Sequence, residues 1–405
     1  MNQITIIDAR MGRGKSSAAV AYMNEHKDSK RFLNITPYLT EVDRICERCD
    51  FDQPDGDKMS KTTELKMHLR RNKNVAATHS LFYLMDEEIL NMIRDKKYSL
   101  IVDESIEVIS KVSVTSKDFQ IITELMTEED DTGKLRWLDD TYTGKFSGYK
   151  DMADSGSLFH LDHSLISILN PELLRAFEEV YMLTYLFEGQ YQKAYLDYFG
   201  FHYRVCGVIH DGDEFRFSDK PDAPPPVDYS ELIRLVDSRQ MNEIGDGRTA
   251  LSKAWYDRHS ENSEEIKELR GRMDSFFRRM TTGGSSARLW TCFKDDAEKL
   301  IPSNGRYRKN FLQISARATN QYRGRTNLAY MANRFADPNI TKFFSKKGIV
   351  INADEFALSE MLQWIWRSAI RDDKPINLYI PSKRMRTLLI DWIKNMNQGG
   401  DAIER

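Results

Sequence analysis

Thr5-Ile6-Ile7-Asp8-Ala9-Arg10-Met11-Gly12-Arg13-Gly14-Lys15-Ser16, followed by Ser17-Ala18-Ala19-Val20-Ala21, is the stretch that decides the fold. A β-branched run enters and an Ala-rich helical run leaves. Between them stands the phosphate-loop spacing: a small residue, four spacers, then Gly-Lys-Ser. Ala9 fills the slot that more often holds Gly. Gly12 and Gly14 let the backbone curl so that N–H groups of Met11 to Ser17 face a phosphate chain, and the helix N-terminus adds a positive dipole. Lys15 is expected to reach the β- and γ-phosphates, and the Ser16 hydroxyl to hold Mg²⁺. A chance Gly-rich strand–helix turn is the plain alternative.

Tyr98-Ser99-Leu100-Ile101-Val102-Asp103-Glu104 is an apolar strand ending in two acids. Asp103 at the strand tip suits Mg²⁺, and Glu104 suits the task of orienting and deprotonating the attacking water. Alone, an Asp-Glu after a strand is weak evidence, since strand ends often turn on Asp. With the phosphate loop, it points to ATP or GTP hydrolysis.

The chain has 405 residues, which makes two domains the natural expectation. Apolar residues at 40% support real cores. No apolar run approaches the roughly 18 residues of a membrane span, and the N-terminus runs directly into a strand. A cytoplasmic protein without membrane contact is expected. Cys46 and Cys49 form a lone C-x-x-C with no second pair or histidines at metal spacing, so both read as helix-packing residues. Net charge is −3, but residues 301–350 hold ten bases against one acid. That excess suits a polyanion; a solvated basic face is the alternative.

The first 200 residues read as strands at 4–8, 31–36, 74–78, 98–103 and 179–184 alternating with helices, the pattern of a parallel sheet. Their C-terminal residues, Asp8, Thr36, Thr78, Asp103 and Thr184, are all polar, and ligands of open α/β sheets bind at that edge. A surface insertion falls within about 105–178. Residues 201–217 read as a hairpin turning at Asp211-Gly212. The triple proline at 224–226 suits a semi-rigid linker, and 249–281 reads as a long charged helix. A second α/β pattern follows, with strands at 289–293, 311–314 and 377–380 and helices at 326–346, 356–371 and 383–396. The expected fold is therefore two parallel-sheet lobes in tandem, with a phosphate loop in the first only. The expected boundaries are 1–205, a connector over 206–285, and 286–405.

This arrangement resembles the superfamily 2 helicases of the DEAD/DEAH type, and most of all the small bacteriophage-encoded ones. The resemblance implies two RecA-like lobes and extends over nearly the whole chain. Ala9 to Ser16 matches its first motif. Asp103-Glu104 matches its acidic box, as Asp-Glu-Ser-Ile where Asp-Glu-Ala-Asp is usual. It implies nucleic-acid backbone contacts at Thr36-Pro37, Thr78-His79, Arg317, Thr319-Asn320 and Arg323, with Tyr322 available for stacking. It places Thr184 as the coupling residue between the two sites. Gln363, Arg367 and Arg371 resemble its arginine-finger helix, with the second Arg one residue later than usual. On the residues alone, these three fall on one helix face at i, i+4 and i+8 and ask for an anionic partner; surface carboxylates such as Asp372 or Glu360 are the alternative.

The function so implied is an ATP-dependent nucleic-acid translocase or helicase. Its expected cofactors are ATP and Mg²⁺, and its substrate is single-stranded or forked nucleic acid, DNA favoured, in phage replication or recombination. A replisome or single-strand-binding partner would fit. Two other classes remain open: a packaging or remodelling ATPase, and an ATP-binding regulator that unwinds nothing. Turnover with and without single-stranded DNA or RNA separates them.

Overall fold

The computed structural model describes residues 3–57, 59–212, 214–220, 227–316 and 321–398. Two compact units emerge. One comprises Met1–Ala9, Gly14–Lys220 and Ala336–Ile351, and the other Arg10–Arg13, Pro221–Phe335 and Asn352–Arg405.

The first unit is built on strands β1 (Gln3–Asp8), β2 (Arg31–Thr36), β3 (Val75–Thr78) and β4 (Tyr98–Asp103). The insertion follows with β5 (Ile109–Val112), β6 (Thr127–Glu129), β7 (Leu135–Trp137), β8 (Leu158–Leu161) and β9 (Ser164–Ile168). The main sheet resumes with β10 (Glu179–Thr184), β11 (Tyr203–Asp211) and β12 (Glu214–Ser218). Its order is β12-β11-β1-β10-β4-β2-β3. Only the edge strand β12 is antiparallel to its neighbour. Ile4, Ile6, Leu100 and Val102 have no exposed surface. Strands buried on both faces are continuous apolar runs, and that is why these were legible.

Residues 105–178 form an ordered subdomain. β5-β9-β8 make one antiparallel sheet and β6-β7 a second. Ile122, Leu135, Trp137, Leu158 and Leu165 build a core of their own. The acidic loop 127–133 is the hairpin between β6 and β7. There the Asp130 carboxylate accepts from the Thr132 and Lys134 N–H groups at 2.8 and 3.0 Å.

The second unit carries β13 (Ile233–Leu235), β14 (Arg288–Thr291), β15 (Asn327–Tyr330) and β16 (Ile376–Tyr379) in the order β13-β16-β15-β14, all parallel. The tandem α/β architecture is as the sequence suggests; several elements are not. Residues 326–346 were expected to be one helix, yet 327–330 form the central strand β15. Burial between two neighbours overrides helical patterning there, and the helix starts only at Pro338. Residues 311–314 contribute a single bridge, Phe311 to Trp290. The stretch 249–281 breaks into helices Lys253–Arg258 and Glu264–Ser275, the second capped by the Ser263 hydroxyl.

Boundaries differ as well. The expected edge at 205 falls inside β11, so the hairpin completes the first sheet. Residues 336–351 group with the first unit, where Ile340, Phe343 and Phe344 join its core. Phe343 stacks on Tyr198 with ring centroids 4.6 Å apart. The prolines 224–226 lie outside the described residues.

Candidate functional site

The loop after β1 leads into helix α1 (Lys15–His26). Gly12 and Gly14 both take left-handed backbone, at φ 83° and 79°. Only glycine enters that region without a steric penalty. Gly14 is the helix N-cap. It offers no side-chain cap, and the first turn holds no acidic residue. The helix supplies no anion of its own at its N-terminus, the arrangement that can receive one from outside. Lys15 is half-buried, and its ammonium donates to the Ala9 carbonyl.

Across the sheet edge, β4 delivers Asp103. The Ser16 hydroxyl approaches its two carboxylate oxygens at 2.9 and 3.2 Å. A hydroxyl and a carboxylate converging from facing elements form a hard-oxygen pair of the kind Mg²⁺ takes while retaining water and substrate phosphates. The residues fit that ion. Among the described residues, no group of three or more His, Cys, Asp and Glu side chains is placed to hold a metal ion by itself.

Burial pushes the Asp103 carboxyl above its usual range. The neighbouring Glu104 charge adds to this, and the Ser16 hydrogen bond opposes it. A carboxyl whose folded pKa is raised favours the native state below the ordinary carboxylate range, and that contribution is lost as pH rises through the folded value. Asp103→Asn should therefore raise the melting temperature of the nucleotide- and metal-free protein at pH 7. The gain should shrink toward about pH 4, near the ordinary carboxylate value. Thermal melts at the two pH values check this, and an equal or lower Tm at pH 7 would contradict it.

Glu104 stands just beyond the strand with φ 65°. A non-glycine residue in left-handed backbone costs about 1–3 kcal/mol and is retained where its surroundings fix it. The chain reverses there, and the next residue, Ser105, joins a polar network at the neighbouring strand end. Ser105 and Thr184 hydroxyls both reach the Gln190 Oε1, at 2.9 and 2.8 Å, while Gln190 Nε2 donates to the Tyr185 carbonyl at 2.7 Å. The Ala9 N–H donates to the Thr184 carbonyl at 3.1 Å. Thr184, expected as the coupling residue, thus touches both the segment after the acid pair and the start of the phosphate loop. Gln190 was not anticipated; its partner Ser105 is 85 positions away, so only the fold reveals it. Gln190→Leu removes the acceptor shared by two hydroxyls and should cost roughly 1–3 kcal/mol. Urea denaturation reads this directly, and an unmoved midpoint would mean that the network is not structural.

The nucleic-acid candidates are placed less favourably. Thr36 is 1% exposed. His79 is buried, and its Nε2 lies 3.2 Å from the Asp103 carbonyl; since a carbonyl only accepts, that nitrogen carries the proton. Thr78 caps the short helix that follows β3 through its hydroxyl. Pro37 is half-buried. These residues line the sheet edge, but the Thr36 and His79 side chains point into protein. Arg323 pairs through two nitrogens with Asp372. Arg317, Thr319 and Asn320 lie outside the described residues, and Tyr322 is half-buried.

The single helical face expected for Gln363, Arg367 and Arg371 is not formed. The helix runs Ala353–Ile365 and ends at Trp366. Tighter bonds follow, from the Arg367 N–H to the Trp364 carbonyl and from the Ser368 N–H to the Ile365 carbonyl, both at 3.1 Å. Ser368 is then extended, and Arg371 sits in a separate 3-10 turn, Ala369–Asp372. Gln363 is half-buried on the helix and Arg367 is 7% exposed. Cys46 and Cys49 ride on helix α2 (Leu39–Cys49), and burial pushes both thiols up to about 11.

Comparison with known proteins adds three findings. A family model described as the YonV C-terminal Rossmann-like domain matches residues 227–393. A protein of Bacillus subtilis (strain 168), described as "SPbeta prophage-derived uncharacterized protein YonV", is 36% identical over 414 residues, spanning 98% of this chain and 100% of its own. The structure of S. tokodaii Xpd4 is 13% identical, with a TM-score of 0.45 over 96% of this chain and 94% of that one.

Proposed function

Starting from a chain that belongs to the family of the Bacillus subtilis YonV protein, we propose that it hydrolyses ATP and uses the energy to move along, and unwind, nucleic acid. The observation that carries this reading is the convergence of Ser16 on Asp103 beside a glycine-shaped loop that opens a helix N-terminus. The N–H groups of residues 11–17 and the Lys15 ammonium would bind the phosphates. Ser16 and Asp103 would hold Mg²⁺, which when bound neutralises charge on the phosphate oxygens. Glu104 orients the attacking water and takes its proton. Thr184, through Gln190 and Ser105, relays the state of the acid pair along the sheet edge. Arg367 and Arg371 are assigned to transition-state charge, as the helicase resemblance implies.

DNA is the favoured track. The relative's prophage origin fits a role in phage replication or recombination, in the host cytoplasm. The excess of bases over acids between 301 and 350 suits contact with a polyanion through phosphates, without base reading, while Arg306, Arg308, Arg323, Arg334 and Lys342 are ion-paired within the protein. Among the described residues, no helix is long and apolar enough to cross a membrane.

The experiment is ATP turnover by the full chain, alone and with single-stranded DNA or RNA. Stimulation by DNA is the expected result. Turnover indifferent to both nucleic acids returns the protein to the class of ATP-binding regulators, and absence of ATP binding removes the reading altogether.

A further inference from the structure

We propose that the β11–β12 hairpin is the wall against which the nucleotide base lies, so that the phosphate loop and a cavity beside α1 together hold one nucleoside triphosphate. This rests on the phosphate-loop reading above and extends it to residues that no motif marks.

β11 lies beside β1 and parallel to it, so its C-terminal end comes up at the same sheet edge as the phosphate loop. The chain turns there, and β12 returns with Phe215 opposite His210 and Phe217 opposite Val208. Phe215 lies directly on the loop: a Cβ added to Gly14 would fall 2.3 Å from its Cγ and Cδ1. An aromatic ring is thus fixed next to the residue that precedes Lys15. The His210 ring stands beside it, with centroids 4.7 Å apart.

A cavity of about 970 Å³ continues from Phe215, between α1 and β12. It begins at Ser17, one residue past the proposed phosphate and metal ligand, and extends to Glu25. An α-helix rises about 1.5 Å per residue, so Ser17 to Ala21 covers about 6 Å, the reach of a nucleoside from its phosphates. The volume is at the upper end of the range for small-molecule sites. Four aromatic rings line it among charged neighbours such as Arg48 and Arg204: besides Phe215, Phe217 stacks on Tyr181 at 5.7 Å, and the Tyr181 and Tyr22 hydroxyls pair with each other at 2.8 Å. A space that offers aromatic faces together with polar groups, beside a helix end proposed to bind phosphates, suits a flat, polar heterocycle joined to phosphates.

The test compares ATP with inorganic tripolyphosphate by titration calorimetry on the full chain. The wild type should bind ATP more tightly than tripolyphosphate. Phe215→Ala should weaken ATP on the order of tenfold, the scale of one lost base–aromatic contact, and leave tripolyphosphate unchanged. Phe215→Tyr should restore ATP binding. Independently of any variant, 8-azido-ATP irradiated with the wild type should label β11 or β12. Equal weakening of both ligands, unchanged ATP affinity, or labelling elsewhere would overturn the base wall while leaving the phosphate loop standing. Failure of the wild type to bind either ligand would instead remove the phosphate-loop reading and this proposal with it.

Discussion

Lys15→Ala is expected to abolish the proposed ATP turnover in a protein that still folds. Lys15 is half-buried, and its ammonium rests on the Ala9 carbonyl at the mouth of the loop. Removing it takes away the point charge proposed to face the β- and γ-phosphates, and a half-buried side chain leaves no core cavity. The transition state spreads charge over the oxygens of the transferred group, and catalysis of phosphoryl transfer is almost entirely positioning and electrostatics. A loss of at least about a thousandfold in kcat is expected, the scale of removing one preorganised charge-stabilising group. Circular dichroism and the melting temperature should stay close to the wild type. Turnover within tenfold of the wild type, in a folded Lys15→Ala protein, would refute the ATPase.

Glu104→Gln separates binding from chemistry. The variant keeps the size and hydrogen-bonding reach of the side chain and the backbone reversal at φ 65°. It removes the group proposed to take the proton from water. General-base catalysis is worth about 10²–10⁴ in rate, so kcat should fall by that factor while the Kd for Mg·ATP stays within a few-fold. The removal of the negative neighbour also relieves Asp103, whose carboxyl is pushed up in part by the Glu104 charge. Metal binding in the variant should therefore hold to lower pH than in the wild type. Loss of nucleotide binding with unimpaired hydrolysis per bound ATP would reassign Glu104.

The phosphate loop, the acid pair and the five parallel strands were legible because each is a local signal. A buried parallel strand is an unbroken apolar run, and glycine spacing is fixed by the backbone itself. β15 was hidden for the opposite reason. Asn327-Leu328-Ala329-Tyr330 has no β-branched residue, and Asn327 tolerates burial only because its amide donates to the Thr282 carbonyl and accepts from Asn377. Those partners are 45 and 50 positions away. Gln190 and Phe215 were hidden likewise, since their importance comes from Ser105 and Gly14. Helical spacing misled at Arg367, because four-residue periodicity describes an ideal helix and says nothing of where Trp366 ends it.

The grouping of residues 336–351 with the first unit sets an order on synthesis. Ile340, Phe343 and Phe344 complete a core whose other members lie between Ile4 and Leu196. A ribosome releases that core's main sheet long before it has made these three side chains. Until then the emerging protein carries an apolar socket around Tyr198 that is open to any passing chain. Exposed apolar surface of this kind invites association during translation. A gene fragment ending at Lys220 reproduces that half-made state permanently. Soluble production of the first unit alone calls for the helix Pro338–Ser345 to be grafted back, in cis through a linker or as a separate peptide.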